Sequence, residues 1–138
     1  NTAGQHRLFP YLRSVTPGRI VVVLGATGER DPGKRAPLGF TAARYAEVVV
    51  VTDESAFSDD AADLRDAVAA GARRAGTAEV VVIPDRGEAI AVAVDLAGAG
   101  DTVLLAGRGH DPALVDDGVA TAFDDRAALR NALLTRAY

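Results

Sequence analysis

Four short apolar runs, at residues 20–24, 48–51, 80–83 and 103–105, constrain this chain more than any other feature. They are rich in valine, and none alternates apolar with polar residues. That pattern belongs to strands covered on both faces, as in a parallel sheet. Ala-rich segments with helical spacing separate the runs, at 37–46, 60–75 and 87–96. Leu64, Val68 and Ala72 recur every fourth position in the second, and Ile90, Val94 and Ala97 share one face of the third. A helix at 6–15 precedes the first run. The segment 119–123 reads as an added edge strand before a final helix at 125–137. Strand, helix, strand, helix in repetition predicts a right-handed wound sheet. The expected class is therefore α/β: a Rossmann-like three-layer domain with a mostly parallel sheet of about five to six strands and helices on both faces. The paired acids Asp59–Asp60 and Asp124–Asp125 fall where helices should begin, and N-capping explains them more simply than catalysis.

Composition excludes several classes. Aromatic residues are 5% of the chain, so the core must come from Val, Ala, Leu and Ile. A net charge of −4 offers no basic face for nucleic acid, and the absence of cysteine excludes disulfides and thiolate metal sites. No apolar run reaches the roughly 18 residues that would span a bilayer, and no signal-peptide pattern opens the chain. A cytoplasmic location and no membrane partner are expected. The 138 residues suit one domain, with no repeats or linkers. The sequence begins at Asn1 and contains no methionine, so it reads as one domain, 1–138, of a longer chain.

In a wound sheet, ligands collect beyond the carboxyl ends of the strands. The loop after the first run holds Gly25, Gly28, Arg30, Gly33, Lys34 and Arg35. The loop after the second holds Asp53, Glu54, Ser55 and Phe57, and the loop after the fourth holds Gly107, Arg108, Gly109, His110 and Asp111. Glycines let the backbone turn and offer N–H groups to an anion, and Arg30, Lys34 and Arg35 add charge. A carboxylate or phosphate is the natural guest. Taken singly, these are ordinary turn glycines, solvated cations and a polar turn histidine; the case rests on three such loops meeting at one edge. A dinucleotide site is an alternative, since Gly25-Ala26-Thr27-Gly28 resembles the start of a Gly-rich fingerprint and Asp53 stands where a ribose-binding acid would. However, Asp31 replaces the third glycine and Pro32-Gly33 interrupts the helix that should open there.

The loop Gly28-Glu29-Arg30-Asp31-Pro32-Gly33-Lys34-Arg35 resembles the Gly-Asp-Arg-Asp-x-Gly-Lys-Arg stretch in the C-terminal domain of Mur ligases, most closely the tripeptide-synthetase branch that adds the third residue of the peptidoglycan stem. Thr52-Asp53, Asp85-Arg86 with Ala89-Ile90, and Phe123-Asp124-Asp125-Arg126 match further landmarks in order. The stretch 104–111 resembles Leu-x-Ala-Gly-Lys-Gly-His-Glu. The resemblance implies an ATP-dependent acid–amino-acid ligase in which ATP phosphorylates an acceptor carboxylate and an amine then attacks the acyl phosphate. It implies ATP and Mg, bound mainly by a central ATPase domain of the parent chain, with a UDP-linked muramoyl peptide and an amino acid as partners. Arg30 then holds the incoming substrate's carboxylate. Glu54, Ser55 and Phe57 fall on the Asp-Asn-Pro-Arg motif that reads diaminopimelate, Gly107 and Asp111 contact the far end of the incoming amino acid, His110 is a further substrate-binding residue, and Lys34 and Arg35 belong to nucleotide contacts. No catalytic or metal-ligating residue is expected here, nor any P-loop, so the isolated domain should be inactive.

Two departures stand out. Phe57 replaces the motif's Arg, which removes bidentate carboxylate recognition, so the ligase is expected not to be selective for meso-diaminopimelate. Residues 1–5 lack the His and Pro of the family's opening segment, which weakens the expected nucleotide contact. A degenerate, non-catalytic binding module and a nucleotide-binding Rossmann module are the alternatives.

Overall fold

The computed structural model describes residues 2–108 and 111–136. Four strands, β1 (Ile20–Leu24), β2 (Val48–Val51), β3 (Glu79–Val82) and β4 (Thr102–Leu105), form one parallel sheet in the order β3-β2-β1-β4. The central strands β1 and β2 are buried along their whole length, whereas the edge strands β3 and β4 are only partly covered. Continuous valine runs in the middle of the sheet are the direct consequence of helices on both sides.

Alternation along β1 divides the core. Ile20, Val22 and Leu24 face the helices α1 (Thr2–Val15), α2 (Arg35–Tyr45) and α3 (Ala61–Ala75), together with Phe9, Ala42, Leu64 and Val68. Val21 and Val23 face the other way, onto α4 (Arg86–Leu96) and α5 (Asp125–Arg136), with Ala93, Phe123 and Leu129. The helical spacing predicted in α3 and α4 is the buried spacing: Leu64, Val68 and Ala72, then Ile90, Val94 and Ala97, all turn inward.

Against an expected single sheet of about five to six strands, the described residues form six strands in two sheets, one of four and one of two. The segment at 119–123 does not extend the parallel sheet. It forms β6 (Val119–Ala122), which pairs antiparallel with β5 (Ala113–Asp116) in a separate hairpin turned by Asp117 and Gly118, both at positive φ. Capping holds for two of the four paired acids. Asp60 accepts from the backbone N–H groups of Ala62 and Asp63, and Asp124 from those of Arg126 and Ala127. Asp59 instead joins two loops, and Asp125 is buried in a cluster of charges.

Candidate functional site

Strand order reverses between β1 and β4, since β2 and β3 lie to one side of β1 and β4 to the other. The connections leaving these two strands must diverge, and a cavity of about 540 Å³ opens between them. Leu24–Thr27 forms one wall and Ala106-Gly107 another. Arg30, Lys34 and Arg35 line it from the loop after β1, Glu54 from the loop after β2, and Gln5 from α1.

The loop after β1 is fastened to the loop after β2. The N–H of Gly28 donates to Ser55 O at 2.8 Å, and a Cβ at Gly28 would lie 1.8 Å from Ala56 O, so only glycine permits this approach. Glu29 follows at φ 58°; its N–H donates to Asp59 Oδ2, and its own carboxylate accepts from the N–H and hydroxyl of Ser58. Asp31 caps the 3-10 turn Pro32–Lys34 through Gly33 N–H, and Arg35 pairs with Asp59 at 3.0 Å. This lacing uses most of the loop's polar groups but not the side chains of Arg30 and Lys34. Both are exposed and have no hydrogen-bond or ion-pair partner among the described residues. They are free to meet an anion.

The loop after β2 is held from the other side. Ser55 Oγ accepts from Val115 N–H at 3.1 Å. Phe57, at φ 53°, exchanges backbone hydrogen bonds with the hairpin: its N–H donates to Val115 O, and its carbonyl accepts from Asp117 N–H. A phenylalanine in left-handed backbone is a strained arrangement that its surroundings must enforce. Asp53 pairs with Arg65 at 2.5 Å. Burial pushes its carboxyl above the ordinary value, against the opposing hydrogen bond and charge of Arg65. Asp53 is thus engaged on α3, and Gly25 and Gly28 are taken up by packing between loops. That is not the arrangement a dinucleotide would need.

Beneath the cavity lies a buried set of two cations and two carboxylates. Asp125 receives Arg86 through two hydrogen bonds of 2.8 Å and Arg108 through one of 2.9 Å. Arg108 also donates to the carbonyls of Asp111, Ala113 and Phe123, lies over the Phe123 ring, and places its Nε 3.3 Å from Glu54 Oε1. Burial pushes the Asp125 carboxyl up, but the hydrogen bonds and charges of Arg86 and Arg108 outweigh it and hold the group below its ordinary value. Glu54 goes the other way. Burial dominates, and its carboxyl is raised despite the N–H of Ser55 and the charges of Arg86 and Arg108.

The structure therefore brings Arg30, Lys34, Arg35, Glu54 and Gly107 to one cavity. It does not place Ser55, Phe57 or Asp111 in the lining; these hold the loops, Asp111 through Oδ1 to Ala113 N–H. His110 lies outside the described residues. Sequence reading missed Gln5, whose buried amide oxygen has no partner among the described residues, and the burial of Arg108 and Arg86. A polar residue at the start of a helix carries no signal of what it will face. For Arg108 the hint was its place directly after a strand. Among the described residues there is no group of three or more His, Cys, Asp or Glu side chains able to hold a metal ion.

A wound α/β domain with a cation-rimmed cavity at its switch point is the class that fold and site define. The chain belongs to the Mur ligase, glutamate ligase domain family, whose model matches residues 1–109. It is 45% identical over 127 residues to the UDP-N-acetylmuramoyl-L-alanyl-D-glutamate–2,6-diaminopimelate ligase of Corynebacterium efficiens, covering 88% of this chain and 24% of the relative. It is 44% identical over 127 residues to the protein of the same name from Streptomyces coelicolor, covering 88% and 25%. A solved structure named for the same ligase superposes with a TM-score of 0.92 at 28% identity, covering all of this chain and 28% of that one. The chain thus spans about a quarter of the length of the relatives it matches and corresponds to the C-terminal domain of a Mur ligase.

These comparisons overturn one expectation. The loss of the motif's Arg at Phe57 pointed away from diaminopimelate, yet seven relatives, 40–45% identical, are all named 2,6-diaminopimelate ligases. The physical reason lies in the loop: Phe57 is outside the cavity lining and its backbone is tied to the hairpin, so its side chain alone is a poor guide to what the cavity selects.

Proposed function

We propose that this chain is the C-terminal, amino-acid-binding domain of an ATP-dependent UDP-N-acetylmuramoyl-L-alanyl-D-glutamate–2,6-diaminopimelate ligase acting in peptidoglycan precursor synthesis. The observation that carries the reading is the cavity at the β1/β4 switch point, with Arg30 and Lys34 unpaired at its rim. In a site that excludes part of the solvent, a free guanidinium can take a carboxylate through two parallel hydrogen bonds. Arg30 is assigned to the carboxylate of the incoming amino acid, and Lys34 and Arg35 to the nucleotide or the acyl phosphate that faces them when the domains close. The described residues hold no metal-binding cluster and the sequence holds no P-loop. Mg and the phosphates of ATP are therefore assigned to the central domain, and the UDP-linked acceptor to the remainder of the ligase. No helix among the described residues is long and apolar enough to cross a membrane.

The test is phosphate release by the intact ligase that contains this chain. Adding 2,6-diaminopimelate to ATP and the acceptor should stimulate turnover. Arg30→Ala should raise the KM for diaminopimelate about tenfold to a hundredfold, the loss expected for one charge-assisted pair, while the KM for ATP moves less than threefold. An unchanged amino-acid dependence would remove Arg30 from the pocket. Turnover that no amino acid stimulates would return the chain to a non-catalytic binding module.

A further inference from the structure

Arg30 stands between two residues whose own side chains are committed. Glu29, before it, has left-handed backbone at φ 58°. A glutamate seldom takes that conformation, and it persists only where its surroundings hold it. Here it is held at both ends of the residue. The Glu29 N–H donates to Asp59 Oδ2 at 2.7 Å, and Glu29 Oε2 accepts from the Ser58 N–H at 3.1 Å and from its hydroxyl at 2.7 Å. Asp31, after Arg30, turns back to accept from Gly33 N–H at 2.9 Å.

The clasp between Glu29 and residues 58–59 is itself anchored. Gly28 N–H donates to Ser55 O, Asp59 N–H donates to Ala56 O at 3.0 Å, and the same Oδ2 of Asp59 takes Arg35 at 3.0 Å. Glu29 and Ser58 are exposed and neither belongs to the core, so what their bonds fix is the direction of the chain at residue 30. Of the three side chains at 29–31, that of Arg30 alone has no partner among the described residues, and it lines the cavity.

We infer that Glu29, Ser58 and Asp59 form the positioning device for Arg30: they hold the backbone of residue 29 so that the next side chain leaves the loop toward the cavity. The inference rests on the assignment of Arg30 to the carboxylate of the incoming amino acid. A guanidinium whose backbone is held in advance gives up less freedom when it takes a carboxylate, so binding is strengthened without a new contact. All three act through Arg30 and are positioning residues only.

The experiment is a double-mutant cycle in amino-acid-dependent phosphate release by the intact ligase, with 2,6-diaminopimelate as the amino acid. Glu29→Gly keeps the backbone conformation within reach, since glycine takes positive φ freely, and removes the carboxylate. It should raise the KM for diaminopimelate about threefold to tenfold, the scale of one side chain's lost ordering, with kcat and the KM for ATP within about twofold. On an Arg30→Ala background the same change should add less than about twofold, because no guanidinium remains to be positioned. Ser58→Ala, which removes only the hydroxyl donor at an exposed position, should repeat the pattern with a smaller step, and it carries the test where Glu29→Gly folds poorly. Penalties that multiply across the two backgrounds would show that the clasp acts on something other than Arg30 and would overturn the inference. An unchanged KM in both single variants would overturn it as well. If Arg30→Ala itself leaves the KM for diaminopimelate unchanged, the assignment of Arg30 fails and this inference fails with it, so the cycle separates the two failures.

Discussion

The loops that follow β1 and β4 look alike in sequence: each is Gly-rich, and each carries an arginine a few residues past its strand. Their arginines have opposite fates. Arg30 is exposed and has no partner among the described residues, while Arg108 has a side chain 1% exposed and gives four hydrogen bonds to Asp125 and three carbonyls. The difference comes from what each strand end meets. Beyond β1 the chain leans on the loop after β2, whose polar groups are matched by backbone and by Glu29 and Arg35. Beyond β4 it runs beneath the hairpin and α5, where Asp125 waits with a buried charge. Arg108 serves as structure, and the side chain of Arg30 is left without a partner among the described residues.

Three measurements could break this comparison. Removing a partner from the buried set should have the largest effect. Asp125→Ala would leave two guanidinium groups without their common anion and should cost about 3–5 kcal/mol in urea unfolding of this chain. A loss under about 1 kcal/mol would mean that the cluster is not the closed, dry assembly its burial indicates.

The pH dependence of stability sharpens the same point. The Asp125 carboxyl is held below its ordinary value of 3.8, so its contribution is present above that pH and disappears as the pH falls through its lower folded value. Glu54 acts in the opposite sense. Its folded value lies above 4.5, so its contribution is complete below that pH and declines as the pH rises through the raised value. Denaturation of wild type and Asp125→Asn across the acid range should therefore converge as the pH falls below 3.8. Curves that stay parallel would show that Asp125 does not titrate differently in the two states.

The smallest effect belongs to the other loop. Arg30→Ala should change the unfolding free energy by no more than about 0.5 kcal/mol, because an exposed side chain without a partner contributes little to the fold. A loss comparable with that of Asp125→Ala would show that Arg30 is a structural residue and would erase the contrast between the loops.

Much of this architecture was legible from local pattern. Strand runs at 20–24 and 48–51 coincide with β1 and β2, and those at 80–83 and 103–105 fall within a residue of β3 and β4 at each end. The helix starts were visible where a cap is a local event, as at Asp60. Reading failed where the decisive partner is far along the chain. The segment at 119–123 has the pattern of a strand, but β propensity does not say which edge a strand will join, and it pairs with β5 instead of extending the parallel sheet. Asp125 resembled a cap, yet Arg86, 39 positions away, claims both its oxygens. Phe57 stands where the resembled motif has Arg, but its position is set by backbone bonds to a hairpin some 60 residues later.

Periodicity, turn chemistry and the order of runs along the chain settled the layers, the parallel sheet and the cluster of cations after β1, since each depends on neighbours within a few residues. Which charges are buried and which stay free was decided only by the tertiary structure. A charge acquires its environment from whatever packs across the sheet end, and that packing unites residues as distant as Glu54, Arg108 and Asp125 in one dry pocket of space.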